Sequence, residues 1–78
     1  MLKYFLLEET EDRVIYKYHP ENKAQFGIVS FNKNTKECCV ITLAKNDVYR
    51  RYALHMFSKM REFAKENSYR REGIVAWG

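Results

Sequence analysis

Residues 46–67 read NDVYRRYALHMFSKMREFAKEN, and this stretch decides the fold class. Its apolar side chains, Tyr49, Tyr52, Ala53, Met56, Phe57, Met60, Phe63 and Ala64, recur at spacings of three and four. That is the period of an α-helix with one face turned to a core. Asn46 or Asp47 supplies a capping side chain, and Asp47 also complements the positive end of the helix dipole. Asn67 tolerates the left-handed backbone that ends helices. The pattern predicts a helix over residues 47–66, about 30 Å long at about 1.5 Å per residue.

Upstream of the helix the period changes to two. Leu2 to Leu7 is an apolar, aromatic run, closed by the polar break Glu8-Glu9-Thr10-Glu11-Asp12. Arg13 to His19 alternates, with Val14, Tyr16 and Tyr18 on one face. Pro20-Glu21-Asn22-Lys23 has turn chemistry. Gln25 to Phe31 is a third strand, whose interior Gly27 marks a bulge or a close backbone approach. Asn32-Lys33-Asn34-Thr35-Lys36 reads as a hairpin loop, and Glu37 to Leu43 as a fourth, β-branched strand. After Gly73, Ile74 to Trp77 returns to the sheet. The expected fold is α+β, a single domain over residues 1–78. A four- to five-stranded antiparallel meander carries one long amphipathic helix on one face, in the order β-β-β-β-α-β.

The chain has 78 residues, of which 46% are hydrophobic and 15% aromatic. That balance belongs to a folded domain, not to a disordered one. No apolar run nears the roughly 18 residues that span a bilayer. The apolar block Tyr4 to Leu7 is shorter than a signal peptide's and is followed by Glu8 and Glu9. The two cysteines, Cys38 and Cys39, are adjacent, unlike the distant pairs that staple secreted domains. The expected setting is the cytoplasm, with no membrane contact.

Charge is distributed unevenly. Residues 1–44 carry six basic and six acidic side chains, so the whole net charge of +4 sits on residues 45–78. At about 100° per residue, Arg50, Arg61, Leu54, Lys65 and Arg51 share one flank of the predicted helix. Lys45, Arg70 and Arg71 stand at its two ends. These eight residues form the candidate binding patch. A solvated, solubilising face accounts for them; so would contact with nucleic-acid phosphates or with an acidic protein. Leu54 is the one apolar member, an ordinary exposed leucine or an anchor inside a charged rim.

Chemistry-bearing patterns are few. Tyr16 and Tyr18 with Lys17, or Phe26 and Phe31 with Lys33, could stack bases as sheet-type RNA binders do, but core packing explains the same residues. Cys38, Cys39, His19 and His55 lack the spacing of zinc ligands, and adjacent strand cysteines point to opposite faces. No phosphate loop or catalytic triad is present in the sequence. The expectation is a protein without catalysis, metal or cofactor.

The segments Phe26 to Ala44, Asn46-Asp47 and Glu72-Gly73-Ile74-Val75-Ala76-Trp77 resemble those of a group of short uncharacterised bacterial proteins. The resemblance covers most of the chain and implies no activity, so it assigns no residue a role.

One helix covers one face of a sheet. Phe5, Leu7, Ile15, Val29 and Phe31 are candidates for the other face, beside Arg13, Lys17 and His19. Surplus apolar area on a thin domain favours self-association. The leading expectation is a small binding or regulatory module acting by protein–protein contact as a homodimer, its further partner unidentified. The alternative is nucleic-acid binding through the basic helix flank.

Overall fold

The computed structural model describes residues 1–77. Five strands and one helix follow one another as β1 (Leu2–Glu9), β2 (Arg13–Pro20), β3 (Gly27–Asn32), β4 (Cys38–Thr42), α1 (Arg51–Glu66) and β5 (Glu72–Val75). The strands form one antiparallel sheet in the order β4-β3-β2-β1-β5. The fold is α+β, with α1 packed on one face.

Alternation along β2 sets the layers. Val14, Tyr16 and Tyr18 are buried under the helix with Leu2, Tyr4, Val29 and Phe31, where they meet Ala53, Met56, Met60 and Phe63. Val29 and Phe31 therefore belong to the inner face, contrary to their candidacy for the outer one. Three tyrosines in so small a core need polar partners for their hydroxyls. Tyr16 donates to the Arg70 carbonyl at 2.6 Å, and Tyr18 donates to Asp47 Oδ2 at 3.1 Å.

Gly27 stands opposite Tyr18 across β2 and β3, and Gly73 stands opposite Tyr4 across β1 and β5. A Cβ at either glycine would collide with the tyrosine ring. The close approach expected at Gly27 is thus real, and Gly73 repeats it at the opposite side of the sheet. Each ring lies over a glycine in the neighbouring strand and points under the helix.

The register slips twice. One extra residue, Leu7, interrupts the pairing of β1 with β2, and another, Ile41, interrupts that of β3 with β4. Both are bulge residues and both are exposed.

The helix starts four residues later than the sequence pattern predicts. Asp47 lies before it in a turn, with its N–H bonded to the Ala44 carbonyl and its own carbonyl accepting from Arg50. Arg50 takes a left-handed conformation, φ 60°, and closes that turn. Asp47 is buried, and its carboxylate accepts the N–H groups of Tyr52 and Ala53 at 3.1 and 2.9 Å. It caps the helix from three residues before the cap position. Tyr49 consequently leaves the apolar stripe and is 80% exposed. Asn67 ends the helix as expected, at φ 51°. The final strand begins at Glu72, two residues before its predicted start, and Trp77 lies beyond it.

Candidate functional site

Two surfaces carry unsatisfied chemistry, one on each side of the sheet. The first is the uncovered sheet face. Strand registers place Ile28, Lys17, Phe5 and Glu72 in one row across four strands. His19, Lys3 and Ile74 form the next row, and Cys39, Ser30, Ile15 and Glu8 the one on the other side. The apolar centre is Phe5, Ile15 and Ile28, with Phe26 beside it, 45% exposed.

Aromatic and cationic side chains interlock there. The His19 ring meets Phe5 edge-on, centroids 5.7 Å apart, and lies 5.8 Å from Phe26. Lys17 Nζ sits 5.4 Å from the Phe5 centroid and 5.2 Å from that of Phe26, and Lys3 Nζ lies 5.2 Å from Phe5. The ammonium groups thus stand over the ring faces, where the π-electrons attract a cation. Sequence reasoning named Phe5, Ile15, Lys17 and His19 for this face. It missed the association of Phe5, His19 and Phe26, which depends on register across three strands. The base-stacking pairs considered from sequence do not form: Tyr16, Tyr18 and Phe31 are buried in the core.

The second surface is the helix side, where the eight-residue patch divides into four groups. Arg51 and Leu54 share a depression with His55, Ser58 and Trp77. Leu54 is 56% exposed there. The Trp77 ring stacks on His55 at 3.7 Å, nearly parallel, a contact no sequence pattern signalled. Lys45 and Arg50 stand in the loop before the helix. Arg61 and Lys65 border a separate cleft together with Lys36 of the β3–β4 turn. Arg70 and Arg71 lie past the helix, where their carbonyls accept from Tyr16 Oη and the Leu6 N–H. The helix keeps Arg51, Leu54, Arg61 and Lys65; the remainder of the patch lies before and after it.

None of the seven cations in the patch forms an ion pair with a described residue. The pairs present are elsewhere: Glu8 with Arg13, Glu9 with Lys33, Glu62 with Lys59, and Glu21 with the terminal ammonium.

Cys38 pairs with Phe31 on the inner face, and Cys39 with Ser30 on the outer. Burial pushes the Cys38 thiol up, opposed by the nearby Arg61 charge. Cys39 is exposed. Among the described residues, no group of three or more His, Cys, Asp or Glu is arranged to hold a metal ion. No helix among them is long and apolar enough to cross a membrane. Comparison with protein-family models, with curated proteins and with solved structures finds no match.

Proposed function

We propose that this protein is a binding module without chemistry of its own, acting by protein–protein contact, and that it pairs with a second copy through the uncovered sheet face. The observation that carries the reading is the make-up of that face. Phe5, Ile15 and Ile28 are its apolar members, Lys17 stands between Phe5 and Ile28 on the middle strand, and charges of both signs lie around them, Lys3 against Glu8 and Glu72. A two-fold interface brings one patch against itself, so it needs a self-complementary patch. A one-signed rim would repel its own copy; this rim does not.

Size supports the same reading. The molecule measures 30 × 22 × 18 Å, and five strands up to eight residues long fill its broad side. Such a face is of the order of the roughly 800 Å² per partner that a standard interface buries. The helix occupies the other face, so no described element covers Phe5, Ile15 and Ile28.

Sedimentation of the wild type at about 100 µM tests the reading, since a micromolar Kd would leave most chains paired there. Two-chain mass is expected for the wild type and single-chain mass for Phe5→Glu/Ile28→Glu. Those two positions lie outside the helix-side core, and an unchanged far-UV spectrum establishes that the variant is folded. A wild type with the mass of one 9.4 kDa chain removes the dimer.

A second reading, nucleic-acid binding on the helix side, is favoured by Arg50, Arg51, Arg61 and Lys65, none of which is ion-paired with a described residue. Contact with about four phosphates gives an affinity for duplex DNA that falls about a hundredfold from about 50 to about 200 mM salt. Binding that ignores salt, or none at low salt, eliminates this reading.

A further inference from the structure

Of the two histidines, His55 lies on α1 against Trp77, and His19 lies on the uncovered sheet face. The His19 ring is edge-on to Phe5 and close to Phe26, and its Nδ1 is 2.8 Å from the Lys23 carbonyl oxygen. A carbonyl only accepts, so Nδ1 carries a proton and Nε2 is the nitrogen that titrates. The bond to Lys23 therefore persists in both charge states. The adjacent charged side chains on the sheet are cations. Lys3 is the cross-strand partner of His19 on β1, with Nζ 5.2 Å from the Phe5 centroid. Lys17 lies two residues back on β2, with Nζ 5.4 and 5.2 Å from the two rings that His19 meets. The carboxylates of this face are remote. On β5, Ile74 shares the row of His19, and Glu72 stands one row along, beyond β1. Two strand spacings and one row put Glu72 roughly 12 Å away at the backbone. Glu8 lies two rows off, farther still. On β3, Ile28 and Ser30 carry no charge. In the turn after β2, Lys23 is a further cation, and Glu21 is already engaged by the terminal ammonium and the Tyr52 hydroxyl.

We infer, resting on the sheet-face dimer proposed above, that His19 makes this self-contact sensitive to acid, its protonation releasing one copy from the other. In the single chain an imidazolium at this place keeps its water. In the pair the ring is enclosed with Phe5 and Phe26, and burial and the two neighbouring lysines both oppose a third positive charge. Two-fold symmetry incurs that cost at both copies of His19. The pair therefore binds fewer protons than two separate chains. Association is then strongest above the range in which imidazoles ordinarily titrate, about pH 6–7, and is lost as pH falls through it.

Sedimentation equilibrium at about pH 7.5 and about pH 5.5 gives the dimer Kd on either side of that range. The wild-type Kd is expected to rise at least about fivefold at the lower pH, against a ceiling of about a hundredfold for two histidines titrating near 6.5. His19→Asn, whose amide nitrogen takes the place of Nδ1, is expected to lose most of the rise. His55→Asn, on the helix side, is expected to keep it. A second measurement needs no variant: NMR of the His19 ring gives its titration midpoint at about 20 µM and about 1 mM protein, and the midpoint is expected to move down as pairing increases. A smaller rise in Kd, a rise kept in full by His19→Asn, or a midpoint that ignores concentration or moves up overturns the role of His19 and leaves the dimer standing. A wild type that is a single chain at about pH 7.5, even at about 1 mM, removes the dimer itself, and the acid response with it.

Discussion

The Tyr18 hydroxyl donates to the Asp47 carboxylate at 3.1 Å, joining the middle strand of the sheet to the start of the helix. The same hydroxyl accepts the Ala44 N–H at 3.3 Å, and the same carboxylate caps Tyr52 and Ala53. One buried pair thus holds the loop, the helix terminus and the sheet in a single arrangement. The pair sets how α1 lies across one face and leaves the other bare.

Removal of the carboxylate leaves the Tyr18 hydroxyl and two helix N–H groups without their acceptor. Asp47→Ala is expected to destabilise the protein by about 2–4 kcal/mol, combining the loss of a cap with buried unpaired donors. Asp47→Asn retains one carbonyl acceptor and costs less. Urea unfolding of the three proteins measures the order; equal stability of Asp47→Ala and the wild type would refute the capping role.

Gly27 and Gly73 are required by contact, since neither has a positive φ. Gly27→Ala pushes a methyl into the Tyr18 ring, and Gly73→Ala does so at Tyr4. Each is expected to cost about 1–3 kcal/mol, the usual range for overpacking. Gly73 lies in an edge strand that can shift outward, so its substitution costs the less of the two. Thermal unfolding of both variants tests the ranking.

Alkali is expected to unfold the protein before lysine deprotonation is complete. Burial pushes the Tyr18 hydroxyl up to about 12 and raises those of Tyr16 and Tyr4 as well. The unfolded chain releases these protons near the ordinary value of 10.0 and the folded chain only above it. The unfolded state then binds fewer protons, so stability is fully present below pH 10 and falls as pH rises through about 12. Denaturant midpoints across this interval give the slope; Tyr18→Phe should flatten it.

The two cysteines are expected to react at different rates. Cys39 is exposed on the outer side, while Cys38 is half-buried with its thiol pushed up by burial. Near neutral pH, a maleimide should label Cys39 first, with Cys38 following only at higher pH or on unfolding. Mass spectrometry of Cys38→Ser and Cys39→Ser identifies the sites; faster labelling of Cys38 would contradict the strand register.

Most of the architecture is legible in the sequence because its periods are local. Tyr52, Ala53, Met56, Met60 and Phe63 mark the helix stripe, and Val14, Tyr16 and Tyr18 mark a half-buried strand. The helix start is not legible, because Asp47 acts through a turn and through Tyr18, 29 residues away. Tyr49 continues the helical spacing in sequence but precedes the helix in space. The faces of Val29 and Phe31 depend on strand register, which the pattern of β3 alone leaves open. Half of the basic patch is likewise a matter of tertiary placement. Arg61 and Lys65 share a helix face by spacing, whereas Lys36 joins them from the hairpin and has no local signal to connect it with them.

The central claim, that the bare sheet face is the place of self-contact, is tested most directly by isotope-filtered NMR on a mixture of labelled and unlabelled chains. The account predicts intermolecular contacts from the Phe5 and Phe26 rings to the methyl groups of Ile15 and Ile28. Absence of such contacts at a concentration of about 1 mM, where even weak pairing with a Kd near 100 µM is well populated, would contradict it, as would intermolecular contacts confined to Leu54 and its neighbours on the helix.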